Sequence, residues 1–164
     1  MNFLKTKTIE EEEYENYFNG LYDEYSSYDD NFEFDEISPQ EVKRPGESAS
    51  LKRKRSDKQK ERAKRNSSYK CEYDPDHETF LNEKGDNFIE CHHLIPLSNQ
   101  DDFDYSIDVF ANIVCLCPLC HRIIHHAAMK TKKNLIKKLY EKRKEFLRDA
   151  GVYIDFEDLL KYYK

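Results

Sequence analysis

Between Glu90 and His125 the chain carries four imidazoles (His92, His93, His121, His125), the amide of Asn112 and the thiols of Cys117 and Cys120. So dense a set of nitrogen and sulfur donors exceeds what a small apolar core uses, and these side chains are the ones that hold divalent cations and move protons. His121 and His125 stand four residues apart. A helix places such a pair on one face, where the two rings can share one cation with a third imidazole from a facing strand. Three neutral imidazoles leave coordination positions open for water and phosphate. His92 and His93 are adjacent, and in a strand they point to opposite sides. They are therefore not redundant: one can bind metal while the other accepts a proton. Cys117-Pro118-Leu119-Cys120 adds a CxxC pair, half of a four-coordinate structural zinc site.

The elements that must position these groups follow from local pattern. Asn87-Phe88-Ile89-Glu90-Cys91 reads as a short strand that delivers His92 and His93 at its end. Residues 98 to 111 are polar with scattered aromatics, a loop. Asn112-Ile113-Val114-Cys115-Leu116 is a second apolar run, and Pro118 suits the first position of a helix running to about Ala128. Upstream, Cys71 to Asn87 is rich in turn residues, with Asp74-Pro75-Asp76 and Lys84-Gly85-Asp86-Asn87. Downstream, Leu135, Ile136, Leu139, Phe146 and Leu147 recur at helical spacing between Lys132 and Asp149, and Gly151 is a natural stop. Asp155 then caps a last short helix with Phe156, Leu159, Leu160 and Tyr163.

The order strand, loop, strand, helix, with these ligands, resembles the HNH endonuclease family of the His-Me finger (ββα-metal) superfamily. The resemblance covers roughly residues 69 to 128. It rests on His92-His93-Leu94-Ile95-Pro96-Leu97, on Asn112-Ile113-Val114, and on Leu116-Cys117-Pro118-Leu119-Cys120-His121-Arg122-Ile123-Ile124-His125. It implies that His93 is the general base, that His92 and His121 are metal ligands with His125 one turn on as a further ligand, and that the Asn112 carboxamide braces the loop and orients the base. Asparagine by itself serves turns and helix caps equally well. His126 falls on the adjacent helix face and is set aside.

Many HNH domains supply a second CxxC upstream of the histidine pair, and here the sequence departs from that pattern. Cys71 is followed at the expected spacing by Asp74, not cysteine. His77 is the best substitute nearby, so the expected zinc set is Cys71, His77, Cys117 and Cys120, with Asp74 and Cys115 as competing donors. Cys91 and Cys115, in apolar strand contexts, read as small buried residues.

The remaining composition bounds the function. A hydrophobic share of 38% over 164 residues is too small to bury the whole chain. The net charge of -6 hides a segregation: Glu10 to Glu36 is heavily acidic with no Lys or Arg, whereas Lys43 to Arg65 is dense in both. An evenly spread negative charge would argue against a nucleic-acid partner; a basic segment beside an acidic one does not. Thr8-Ile9-Glu10-Glu11 reads as a capping box opening an acidic amphipathic helix with Tyr14, Phe18, Leu21, Tyr25 and Tyr28 on one face, and a linker is expected at about residues 37 to 49. Residues 50 to 65 have good helix formers but almost no apolar face, so that helix needs the support of a domain or partner.

These features predict an α+β protein: a small ββα-metal finger with a zinc knuckle and flanking helices, preceded by an acidic tail. The expected division is 1–47 tail and linker, 48–68 basic helical lead-in, 69–128 nuclease core and 129–164 helical extension. Lys52, Arg53, Lys54, Arg55 and Arg122 are the expected nucleic-acid contacts, and Lys130, Lys132, Lys133, Lys137 and Lys138 either line the same path or are simply exposed. The expected activity is metal-dependent hydrolysis of DNA, with RNA left open, using one divalent cation (Mg, Mn, Ni or Zn) besides structural zinc, in restriction, antiphage defence, phage nicking or mobile-element transfer. Two other classes fit the same residues. One is a non-catalytic zinc-stabilised module for nucleic-acid or protein binding, and the other is a nuclease toxin whose acidic tail meets an immunity partner. The tail is open to a protein partner or to acting as a phosphate mimic, and cutting both strands calls for a homodimer or successive nicks. Met1 to Thr8 lacks an apolar core and no stretch approaches the length of a membrane span, so a cytoplasmic, reducing setting is expected, in which clustered cysteines bind metal.

Overall fold

The computed structural model describes residues 36–42 and 49–164. The acidic helix expected after Thr8 and residues 43–48 of the expected linker lie outside the described residues. Helix α1 spans Ala49–Asn66, strand β1 Glu90–His93, strand β2 Ile113–Leu116, helix α2 Pro118–His126, helix α3 Met129–Asp149 and helix α4 Phe156–Lys161. Two 3-10 turns, Leu97–Asp102 and Phe110–Asn112, shape the segment read as plain loop.

β1 and β2 pair antiparallel, with Glu90 opposite Leu116, Cys91 opposite Cys115, His92 opposite Val114 and His93 opposite Ile113. Because side chains alternate along a strand and directly paired residues share a face, this register sorts the sheet into two sides. Ile113 and Cys115 join Ala63 of α1, Ile89 and Phe110 in one apolar cluster. Val114 and Leu116 join Ile124 of α2, Leu135, Ile136 and Leu139 of α3 and Leu159 of α4 in the other. All four residues of β2 are buried. A two-stranded ribbon cannot stand alone in water, and here helices cover both of its faces.

The basic helix α1 obtains the support it needed from this arrangement. Ala63 is fully buried, Arg62 lies 4.5 Å from the Phe110 ring centroid, and Gln59 Oε1 accepts the Phe110 backbone N–H at 2.9 Å. The fully buried Arg143 of α3, 5.1 Å from the same ring centroid, reaches Glu72, whose Oε1 also accepts the Cys115 N–H at 2.9 Å. The loop carrying Cys71 is thereby tied to both β2 and α3. Residues 36–42, at the start of the expected linker, have no regular secondary structure yet belong to the domain: Ile37 packs against both apolar clusters, and the Gln40 carbonyl accepts the Ser106 N–H at 2.8 Å.

Element boundaries differ from the sequence reading where loop geometry intervenes. β1 starts at Glu90, not Asn87, because Asn87 pairs with Leu81 in an isolated bridge closed by the Asn82–Gly85 turn. α2 stops at His126, since Ala127 is extended, and α3 begins at Met129, three residues before the expected start. Gly151, at φ +73°, ends α3 in the left-handed region, with the Val152 N–H returning to the Leu147 carbonyl at 2.8 Å. A Cβ there would lie 2.6 Å from the Tyr105 ring, so glycine is required on both counts.

Candidate functional site

The strand register decides where the adjacent histidines go. His92 shares a face with Val114 and points toward α2, whereas His93 shares the opposite face with Ile113 and points toward α1. On the α2 side, His92, His121 and His125 converge, with one ring nitrogen from each lying within 4.8 Å of the others. His121 Nε2 and His125 Nε2 are 3.1 Å apart, a contact between ring nitrogens that calls for a proton or a cation between them. His121 Nδ1 is 2.7 Å from Glu90 Oε2, and a carboxylate can only accept, so this edge carries the proton and Nε2 keeps its lone pair.

The third ring is fixed by the far end of the chain. Tyr163 Oη donates to the Leu94 carbonyl at 2.6 Å and lies 3.1 Å from His92 Nε2. Its one proton is committed to a carbonyl that cannot donate, so the oxygen accepts from His92 Nε2–H and leaves the Nδ1 lone pair free. Burial keeps the tyrosine protonated by raising its pKa. Burial, followed by the neighbouring His125, His121 and His93, pulls the His92 pKa down to about 3, and burial with His121 lowers that of His125. Neutral imidazoles with free lone pairs are the form a divalent cation requires, so this donor set fits a metal.

On the α1 side, His93 Nε2 lies 3.0 Å from Asp108 Oδ1, a carboxylate whose side chain is 5% exposed. Asp108 Oδ1 is also 3.4 Å from Ser56 Oγ of α1. The two histidine faces meet in one cleft of about 590 Å³, lined by His92, His93, His121, His125, Lys132 and Tyr163 among others.

Asn112 is fully buried and does not touch this cleft. Its Oδ1 accepts the Ile95 N–H at 2.7 Å, and its Nδ2 donates to the carbonyls of Ile95 and Ile107 at 2.8 and 2.9 Å. The amide stitches the two ends of the loop that carries Asp108, so its influence on His93 runs through the backbone.

A second cluster joins Cys71, His77, Cys117 and Cys120, whose ligand atoms also lie within 4.8 Å of one another. His77 Nδ1 is 3.6 Å from Cys117 Sγ and 3.3 Å from Cys120 Sγ. Of the competing donors, Asp74 lies behind the ring, 3.6 Å from His77 Nε2, and Cys115 belongs to the α1 side of the sheet. Burial, then the negative charge of Cys71, pushes the Cys120 thiol well above its ordinary range. Converging sulfurs resist joint ionisation until a cation sits among them, and three sulfurs with one imidazole suit tetrahedral zinc. Cys117 is also the N-cap of α2, its sulfur accepting the Cys120 N–H at 3.5 Å.

No family model matches the chain. Over 61 residues, 37% of the chain, it is 43% identical to the type IV methyl-directed restriction enzyme EcoKMcrA of Escherichia coli (strain K12). Part of this chain is related to a restriction enzyme. The match takes in 19% of that relative, so the chain spans about a fifth of its length. Among solved structures, the type IV phosphorothioation-dependent restriction endonuclease ScoMcrA aligns with 57% of this chain and 17% of its own, at a TM-score of 0.44 and 21% identity.

The structure gathers His92, His121 and His125 in one cluster and Cys71, His77, Cys117 and Cys120 in another, sets His93 apart against Asp108, and adds three partners that spacing missed. Glu90 had a readable signal, since it precedes His92 by two and so shares its strand face. Asp108 and Tyr163 had none, because a loop and a helix terminus reach the site only through tertiary packing. Arg122 is exposed on α2, and His126 is likewise exposed, 6.0 Å ring to ring from His125. Among the described residues no helix is long and apolar enough to cross a membrane.

Proposed function

We propose that this chain is a metal-dependent HNH-type endonuclease that hydrolyses DNA phosphodiester bonds in restriction of foreign DNA. The observation that carries this reading is the placement of His92 and His93 on opposite faces of β1, one among three imidazoles and the other against a carboxylate, with both rings lining one cleft.

In this reading His92, His121 and His125 hold a divalent cation, which would polarise the phosphoryl oxygens and stabilise the departing 3′ oxygen. His93 gives its Nε2–H to Asp108 and offers its Nδ1 lone pair to the cleft, where it takes a proton from water for in-line attack. As the proton arrives, the Asp108 carboxylate stabilises the imidazolium. Products would carry 5′-phosphate and 3′-hydroxyl ends. Glu90 and Tyr163 hold the ligand rings in their metal-binding tautomers, and zinc on Cys71, His77, Cys117 and Cys120 fixes the start of the helix that presents His121 and His125. Ser56 Oγ of α1 lies 3.4 Å from Asp108 Oδ1, and Lys52, Arg53, Lys54 and Arg55, whose side chains lie outside the described residues, precede it in the same helix. Those residues and Arg122 would follow the phosphate backbone on either side of the cleft.

The test is conversion of supercoiled plasmid to nicked or linear forms by zinc-loaded wild type and His93→Ala, with Mg, Mn, Ni or no added metal. Cutting that needs metal and falls at least a hundredfold in the variant is the expected result, roughly the contribution of one general base. A folded wild type that binds DNA but cuts neither plain nor modified plasmid under any of these metals would instead mark a binding module.

A further inference from the structure

We propose that Lys132 is the protein's own contact to the scissile phosphate, a role that rests on the nuclease reading above. Four of the five lysines on the exposed path expected from sequence, Lys130, Lys133, Lys137 and Lys138, are indeed exposed. Lys132 is not: it is 9% exposed and lines the same cleft as His92, His93, His121 and His125. Among the described residues no carboxylate pairs with its ammonium, and its one close partner is the face of Tyr163, 5.8 Å from the ring centroid.

That placement leaves a cation with no carboxylate partner among the described residues at the wall of the cleft, where a ligand's oxygens can take the place of its water. The stem is covered while the ammonium itself faces the cleft, where the tyrosine face at this distance engages it only weakly. A cation held by the three imidazoles would share the cleft with it and add to the positive charge there. One kind of ligand offsets both charges together: an anion with several oxygens spread over the two centres, as a phosphodiester has in its non-bridging pair. A lysine is suited to this, being a compact charge with three donors and no need for planar, two-point geometry. Negative charge on the phosphoryl oxygens is redistributed during in-line attack, and a fixed ammonium beside them favours the transition state over the bound substrate. A structural lysine would behave differently, because its stem and its contact with Tyr163 would stabilise the fold and removing its charge would weaken it.

The experiment compares Lys132→Met, which keeps the stem and loses the charge, with Lys132→Arg and the exposed Lys137→Met, all in the full zinc-loaded chain. Three quantities are read: melting temperature, single-turnover cleavage of a labelled duplex at saturating protein, and the dissociation constant of that duplex in a His93→Ala background. We expect Lys132→Met to melt close to the wild-type temperature, since the stem that packs is kept and the charge it loses has no carboxylate partner among the described residues. Its single-turnover rate should fall about a hundredfold, well beyond any change in the dissociation constant, and Lys132→Arg should recover part of it. Lys137→Met should alter binding alone. A lower melting temperature with cleavage reduced only in proportion to the folded fraction, or an unchanged rate, overturns the proposal. Should the wild type itself not cut, the nuclease reading fails separately, and the binding arm still decides for Lys132. Weaker binding with a shallower salt dependence in Lys132→Met keeps the phosphate contact, and unchanged binding removes it.

Discussion

His93 has two ring edges in different surroundings, and the proposed chemistry depends on which one holds the proton. Asp108 Oδ1 at 3.0 Å from Nε2 can only accept, so the neutral ring keeps its proton there and has its lone pair on Nδ1. Asp108→Asn preserves size and hydrogen-bonding reach but supplies an N–H, which favours the opposite tautomer. The expected outcome is a loss of single-turnover cleavage of about 10³ to 10⁴, comparable to the same change beside the histidine of a serine protease triad, with DNA binding within twofold of wild type. Nitrogen chemical shifts of the His93 ring report the tautomer directly. A variant that cuts normally while its Nδ1 is protonated would show that His93 is not the base.

At the scale of elements, helix α2 joins the two clusters. Cys117 caps it, Cys120 sits in its first turn, and His121 and His125 project from the next residues. Nine residues are too few for a helix to persist alone in water, so the zinc set and the packing of Ile124 must hold it. Cys120→Ser, or stripping with a strong chelator, is therefore expected to abolish the cooperative unfolding transition and the near-ultraviolet circular dichroism, not merely to slow cutting. A Cys120→Ser protein without zinc that retains both signals would show that apolar packing alone suffices. The same dependence explains how much of the fold sequence could reveal. The α2 and α3 patterns and the Asp155 cap are local, and all three elements are present, with the end of α2 and the start of α3 shifted by two and three residues; the Asp155 side chain accepts the Asp158 N–H at 2.8 Å. The start of β1 was misplaced because a bridge between Leu81 and Asn87 competes for the same residues, a tertiary choice with no local mark. Lys132 was more legible than its neighbours: it stands three, four and seven residues before Leu135, Ile136 and Leu139 on the buried face of α3, and what spacing could not show is that this end of the face opens on the cleft beside Tyr163.

At the scale of the whole molecule, charge is distributed against function. Glu10 to Glu36 carries no cation, while the helix next to the His93 side is among the most basic stretches of the chain. Wherever the acidic stretch lies, its field opposes the approach of a polyanion over a Debye length, about 30 Å at 0.01 M salt and 8 Å at 0.15 M. Removing residues 1–35 is the cut to make, because Ile37 and the Gln40 carbonyl belong to the domain's own packing and a later cut would confound charge with stability. The truncated protein should associate with DNA faster and nick plasmid faster at low salt, by about tenfold or more if steering dominates, and the advantage should shrink toward none as salt rises to 0.15 M. Stopped-flow association at several salt concentrations distinguishes the cases. A gain that persists unchanged at high salt would mean that the tail covers the DNA path by contact, as a phosphate mimic would, and a loss of activity at every salt would mean that the tail contributes to DNA binding itself.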